Sequence, residues 1–269
     1  MMYRDVTVAL EVEAAEREYL QARVENLIRI DGNPFGARVF YNGSWSCFQV
    51  EAAPSPMLNR IYGDRLVDPQ SILHLLKKSS ACSTATPLIG TLSTLEARLS
   101  IEGGWLERMR GWTHLQFACP IEDMMLSNHH FIVEEVTPQT ICAFADVHAS
   151  GFHTKPAHRL VNQASFETWT PDDSLKLFVI RERGEVVAGA SMYLASNGVA
   201  YLGTAATRKD ARSRGYHGAL ITHRLSRALK HGAEMVAATA LPNSQSSRNL
   251  KRAGLKVSHA QALYRLSSG

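Results

Sequence analysis

Thr207-Arg208-Lys209-Asp210-Ala211-Arg212-Ser213-Arg214-Gly215-Tyr216-His217-Gly218-Ala219-Leu220 is where an extended pattern turns into a helical one. Before it, Val199 to Thr207 reads as a strand. After it, about Gly218 to His231 carries Leu220, Ile221, Leu225, Ala228 and Leu229 on one helical face. Gly215 and Gly218 in the joint permit close approach of backbone to a ligand. The first helical turn leaves N–H groups unpaired and pointing at the loop. Arg208, Lys209, Arg212 and Arg214 add positive charge. Such a joint suits phosphate oxygens. By itself it says phosphate and no more. Arg224, Arg227 and Lys230, further along, read most simply as a solvated helix face.

The surrounding order is more specific. Phe131 to Val136 reads as a strand, followed past Thr137-Pro138 by a helix from Gln139 to His148. A second helical piece, Ala157 to Thr168, is broken by Pro171-Asp172-Asp173. Strands Lys176 to Arg181, Val186 to Leu194 and Val199 to Thr207 follow, joined by turns at Arg183-Gly184 and Asn197-Gly198. Such turns need positive φ, so the three strands form an antiparallel meander. Past the long helix, Gly232 is a cap and Glu234 to Leu241 a strand. Ser244 to Arg252 is a helix ended by Gly254, and Leu255 to Leu266 is a closing strand split near His259. This alternation is an α+β pattern with a mixed β-sheet flanked by helices.

Motif and order together resemble the GNAT superfamily of N-acetyltransferases, whose pyrophosphate loop reads Q/R-x-x-G-x-G/A. Arg212-Ser213-Arg214-Gly215-Tyr216 match its first five positions, and His217 stands where the pattern wants Gly or Ala, with Gly218 just after. Asn243, Ser246 and Gly254-Leu255 match the second part of the signature. The resemblance covers the C-terminal half. It implies acetyl-CoA or another acyl-CoA as co-substrate and no metal. Ala205, Ala206 and Thr207 would hold the pantetheine arm and the acyl carbonyl. The N–H groups from Arg212 to Ala219 would hold the pyrophosphate, and Asn243, with Asn249, would touch the CoA arm. In the family an amine attacks the thioester directly and the thiolate leaves. Many members place a Tyr four residues before the glycine of Gly-Phe to protonate that thiolate. Leu250 stands there, so Tyr264, a water or no acid at all must serve. Candidate bases are Glu134, Glu135, Asp146, His148 and His153. Each also reads as an ordinary surface residue.

The first half is less explicit. Val6 to Ile30 has helical spacing through Leu10, Ala14, Tyr19, Leu20, Val24, Leu27 and Ile28. Ala37 to Phe40 and Cys47 to Val50 form a hairpin across Asn42-Gly43-Ser44. Met57 to Tyr62 is a short apolar segment, and Asp68 caps a helix from Pro69 to Lys78. A strand near Thr86 to Ile89, a helix from Ser93 to Glu102 and a strand from Trp112 to Cys119 follow. This order echoes the second half, with Gly104-Trp105 parallel to Gly254-Leu255. Its counterpart of the phosphate loop, Gly63-Asp64-Arg65-Leu66-Val67-Asp68, is acidic and would repel pyrophosphate. Tandem family members with one dead half exist. The expectation is two domains in tandem: residues 1–125 degenerate and without CoA, covering the acceptor pocket, and 126–269 the acyltransferase.

Composition sets the bounds. The 269 residues hold 45% hydrophobic side chains, enough for a large core, and a net charge of +4. That mild excess suits an anionic cofactor and falls short of a dedicated nucleic-acid binder. Cys47, Cys82, Cys119 and Cys142 show no zinc spacing and read as buried free thiols of a cytoplasmic protein. No secretory signal and no membrane span is read. The acceptor is expected to be a small-molecule amine, with the protein a monomer or homodimer. Two other readings stay open: transfer from aminoacyl-tRNA on the same fold, and a non-catalytic CoA-binding regulator.

Overall fold

The computed structural model describes residues 6–53, 55–63, 68–92, 98–101, 104–151, 156–170 and 174–267. The first half runs α1 (Val6–Ile28), β1 (Ala37–Asn42), β2 (Trp45–Val50), β3 (Arg60–Tyr62), α2 (Pro69–Ser80), β4 (Leu88–Leu92), β5 (Arg98–Ile101) and β6 (Gly104–Pro120). The second runs β7 (Val133–Glu135), α3 (Ile141–Gly151), α4 (Pro156–Glu167), β8 (Leu175–Glu182), β9 (Glu185–Leu194), β10 (Val199–Leu202), β11 (Ala205–Thr207), α5 (Tyr216–Lys230), β12 (Met235–Ala240), α6 (Gln245–Arg252) and β13 (Lys256–Ser267).

All the strands join one mixed sheet, in the order β1-β2-β3-β4-β13-β6-β12-β10-β9-β8-β7, with β11 on β9 and β5 on β6. The two halves repeat a plan. β1–β2–β3 is an antiparallel meander whose last strand lies parallel to β4 across α2. β8–β9–β10 is an antiparallel meander whose last strand lies parallel to β12 across α5. The final strands are exchanged: β6 of the first half pairs with β12 of the second, and β13 of the second pairs with β4 of the first. β6 and β13 also pair with each other, so the halves are continuous through the sheet.

α1 seals the seam, and it does so with charge. Its buried face combines Val12, Ala15, Tyr19, Leu20, Val24 and Leu27 with Glu13, Glu16 and Arg23. Glu13 accepts from His259 Nε2 at 2.7 Å and from Gln261 Nε2 at 2.7 Å. Glu16 accepts from Gln116 at 3.0 Å and faces Arg60 at 3.5 Å. Burial pushes the Glu13 carboxyl up and Glu16 adds to the rise, while the bond from His259 opposes it. Glu13 and Glu16 thus meet partners from the strands, while Arg23 donates to Asn162 Oδ1 at 3.1 Å and to Ser165 Oγ at 2.9 Å on α4.

Several expectations change here. Residues 98–101 form a strand, not part of a helix: Ile101 pairs with Gly104 and Arg98 with Glu107, a hairpin that opens β6. Residues 93–97 and 102–103 of the expected helix lie outside the described residues. The expected strand Trp112 to Cys119 is much longer, and bends at Gly111, whose φ is +78°. The expected strand Val199 to Thr207 breaks at Gly203-Thr204. Cys82 and Cys142 are exposed, whereas Cys47 and Cys119 are buried.

Candidate functional site

The break in the third meander strand opens the site. β10 pairs with β12 from Val199↔Met235 to Leu202↔Ala238 and no further. Beyond that rung β11 turns to β9 alone, while Thr239 and Ala240 of β12 stay with β6. A wedge is left between residues 203–207 and 239–240. The ladder on β9 fixes what faces the wedge. Ser191 N donates to Thr204 O at 2.8 Å and Arg208 N to Val187 O at 2.9 Å. Antiparallel pairing alternates, so Ala206 also turns its polar backbone toward β9, and Ala205 and Thr207 turn theirs toward the wedge.

The loop after β11 ends in a row of unspent amides. Gly215 caps α5 with φ +92° and no side-chain cap bond, and Ser213 also lies in the left-handed region at φ +64°. Among the described residues, no acceptor is paired with the N–H groups of residues 212–218. The run ends at Ala219, whose N–H donates to Gly215 O at 3.1 Å, so Ala219 is not part of it as expected. A Cβ added at Gly218 would meet nothing within 4 Å, leaving this side of the helix start open. Seven successive unpaired amides at a helix N-terminus are suited to an anion.

The arginines take a different part from the one expected. Arg214 makes two bonds to Glu182, at 2.8 and 3.0 Å, and Arg208 binds Glu185 at 2.7 Å and Asp210 at 2.8 Å. Arg212 donates to Thr207 O at 3.3 Å and to Gly151 O at 3.4 Å. They fold the loop against its neighbours, and the unpaired donors are backbone. Glu182, Arg183, Arg208, Asp210 and Arg214 line a cavity of about 390 Å³.

On the far wall, α6 starts at Ser244, whose hydroxyl accepts from Ser247 N. Asn243 precedes it with φ +58° and its carbonyl accepts from Arg248 at 2.8 Å. Asn249 donates from Nδ2 to His217 Nδ1 at 2.8 Å, joining two residues of the sequence motif across the helices. Burial, with Arg224 close by, lowers the His217 imidazole to about 4, so it is neutral at ordinary pH. Ser246 is half-buried on α6.

From the opposite side of the sheet, α1 reaches the break. The Tyr19 hydroxyl accepts from Thr204 N at 3.2 Å and shares a hydrogen bond with Ser191 Oγ at 3.0 Å. Gly203 makes room: a Cβ there would fall 2.6 Å from the Tyr19 ring and 2.5 Å from Ser191 Oγ. Beneath the break, Arg224 donates from Nη1 to Ser191 O at 2.9 Å. Neither residue was singled out in the sequence for this place. Arg224 is 2% exposed, not part of a solvated face. Arg227 is half-buried against Glu135, and Leu229, expected in the core, is 52% exposed.

The catalytic candidates among the described residues do not converge here. Tyr264 has no exposed surface and packs with Trp45, Ile72 and Leu75 under α2, with β6 between it and β12. It lies two strands from β12, away from the wedge. Leu250 is buried in the core of the second half, as its side chain requires. Glu135 and Glu134 sit on the edge strand β7, three strands from β10, paired with Arg227 and Arg181. Asp146 is tied on the surface to Arg159 and Gln163. His148 is enclosed by Phe144 and Phe166, and burial with Arg23 nearby holds its imidazole well below the usual range. His153 lies outside the described residues. No group of three or more His, Cys, Asp or Glu placed to hold a metal ion occurs among the described residues. No described helix is long and apolar enough to cross a membrane.

Comparison with known proteins agrees with this geometry. Residues 130–255 match the model of the acetyltransferase (GNAT) family. Among solved structures, a GCN5-related N-acetyltransferase from Kribbella flavida superposes with a TM-score of 0.62 at 16% identity, covering 95% of this chain and 96% of that one. A putative GNAT-family acetyltransferase from Novosphingobium aromaticivorans gives 0.57 at 16% identity, covering 91% and 97%. A tandem GNAT protein from the clavulanic acid biosynthesis pathway gives 0.57 at 11% identity, covering 100% and 97%. At such identities the likeness is one of fold. A search of curated proteins finds no match.

Proposed function

We propose, from the match of residues 130–255 to the acetyltransferase (GNAT) family model, that the protein moves an acetyl group from CoA to the amine of a small molecule. The observation that carries the reading is the row of unpaired amides from 212 to 218, set beside the wedge between β11 and β12. The unpaired amides and the positive end of α5 suit a pyrophosphate in charge. From there an extended pantetheine runs along β11, where the Ala205 and Thr207 backbone takes its amides and the thioester carbonyl. Asn243, Ser246, Asn249 and His217 line the other side of the arm. Bound acyl-CoA supplies the activated acyl carbon; the chain's part is to hold it at the break in the strand, where an amine can approach from the α1 side.

The first half is proposed to be a copy of the same domain without its own cofactor. Its helix α2 starts at Asp68, whose carboxylate already accepts from Ser71 N at 3.2 Å and Ser71 Oγ at 2.9 Å. An anion of the chain itself sits where a phosphate would. The half contributes Tyr19 to the strand break and the wall of the acceptor side. Four unpaired thiols fit a reducing, cytoplasmic setting.

Two measurements test the reading. Acetyl-CoA at 1 mM, about 100 times a 10 μM Kd, stabilises the fold by about 2.7 kcal/mol, a rise of several degrees in Tm. A panel of small amines then releases free CoA thiol. A Tm indifferent to acetyl-CoA and to CoA overturns the cofactor. Binding without thiol release leaves a CoA-binding regulator in its place. Turnover of charged tRNA that ribonuclease abolishes points to the aminoacyl donor.

A further inference from the structure

Arg224 is a buried cation without a counter-ion. Its side chain is 2% exposed, among the largest enclosed in the molecule. Nε donates to Leu220 O at 3.0 Å, and Nη1 to Ser191 O at 2.9 Å and toward Gly203 O at 3.5 Å. These acceptors are all neutral backbone carbonyls. Among the described residues no carboxylate pairs with it. Arg60, just as buried, shows the usual solution: it faces Glu16 at 3.5 Å and bonds the Tyr62 hydroxyl. Enclosing a charge without an opposite one is costly, and carbonyl dipoles recover only part of the loss.

The position of Arg224 gives the cost a use. Gly203 directly follows the last rung shared by β10 and β12, at the apex of the wedge. Ala205, two residues on, turns its N–H into that wedge. Leu250 occupies the place where the family pattern has a proton donor, and it is sealed in the core. Among the described residues, no acid of the sequence candidates faces the wedge. A fixed positive charge beside a low-dielectric reaction centre stabilises developing negative charge without any proton transfer.

We infer that Arg224 is the electrostatic partner of the departing thiolate, taking over what a proton donor does elsewhere. The inference rests on acyl-CoA lying in the wedge. The amine nitrogen's lone pair forms the C–N bond, and negative charge appears first on the thioester oxygen. The C–S bond then breaks with its electron pair passing to sulfur, and the proton lost by nitrogen goes to water. Sulfur leaves as an anion held by the guanidinium and is protonated after release. The titratable neighbours of Arg224 are Tyr19 on α1 and His217 on α5. His217 is neutral above about pH 4, so it adds no charge in the working range.

The test reads the bound thiol directly. Free thiols ionise near 8.5, and thiolate absorbance in the far ultraviolet follows CoA in complex with the full-length protein from about pH 6 to 9.5. The expected result is a bound-thiol pKa at least about one unit below that of free CoA in the same buffer, in the direction a neighbouring guanidinium imposes. Arg224→Lys keeps most of that shift. Arg224→Gln, which can still donate to Ser191 O but is neutral, abolishes it, and lowers kcat about 100-fold while CoA affinity changes less than about 3-fold. An unshifted thiol in the wild-type complex overturns the inference, and so does a shift that survives in Arg224→Gln. The wild-type titration decides the matter even if the Gln variant does not fold. If CoA does not bind the wild type at all, the acyl-CoA reading falls and this inference with it; binding with an ordinary thiol sinks the inference alone.

Discussion

Helices α2 and α5 hold equivalent places in the two halves, yet they begin in opposite ways. Each follows the third strand of a meander and crosses to a strand parallel with it. α2 is closed by its own acid: Asp68 accepts from Ser71 and Pro69 takes the first helical position. α5 is left open: Gly215 offers no side chain, and the amides before Ala219 stay unspent. One start satisfies its donors internally and contributes stability, whereas the other leaves them unpaired, as the proposed cofactor site requires. Chain stability and ligand binding here draw on the same few N–H groups, so a helix start serves one or the other.

The largest expected effect comes from closing α5 in the manner of α2. Gly218→Asp puts a carboxylate beside the unpaired amides where the Cβ meets open space, so steric strain does not confuse the result. CoA affinity should fall about 100-fold or more by calorimetric titration, while Gly218→Ala changes it by less than about 3-fold. An Asp variant that binds CoA like the wild type breaks the contrast between the two helices.

A smaller effect separates the halves by acid sensitivity. His217 has its folded pKa depressed to about 4 by burial, with Arg224 adding to it. Its stabilising contribution is present above the unfolded value near 6.5 and is lost as pH falls toward 4. Urea unfolding should show about 2 kcal/mol of that loss between pH 7 and pH 5. Glu13 has the opposite sign, since its raised pKa favours the fold as pH drops. Comparing His217→Gln with wild type at both pH values isolates the histidine; equal pH dependence in the two proteins removes it as the source. The smallest effect belongs to the closed helix. Asp68→Ala should cost about 1 kcal/mol of stability and leave CoA binding unchanged. A loss of CoA affinity in that variant would mean that the first half binds the cofactor after all.

Local signals in the sequence carried most of the second half. Arg183-Gly184, Gly198, Gly215, Gly232 and Gly254 all have positive φ where turns or caps were read, or directly beside them, whereas Asn197 does not. The expected split of the last strand appears as a register shift between Val257 and His259. What local signals cannot carry is partnership across the chain. Residues 98–101 were read as helix because a short apolar run is ambiguous, and only the pairing of Arg98 with Glu107 decides it. Glu13 and Glu16 look like a polar helix face until His259, Gln261 and Arg60, all distant in sequence, are brought beneath them. Arg224 likewise follows helical spacing onto a polar face, and the break at Gly203 draws it inside. The loop of unpaired amides was legible because it is contiguous. The wedge, the tyrosine from α1 and the buried guanidinium were not, because each is assembled from separate strands and helices.

The exchange of β6 and β13 has a consequence for how the chain comes apart. Taking away either half strips a long strand from the other and exposes a raw backbone edge, at β4 or at β12, prone to pairing with foreign chains. The molecule is therefore wired like a domain-swapped dimer whose protomers share one covalent thread, with the segment 124–132 keeping the exchanged partners at high local concentration. Melting should pass through a single cooperative transition, with no stage at which one half stands alone. If the first half is the cofactor-free copy proposed above, such wiring would keep it in place even without a site of its own.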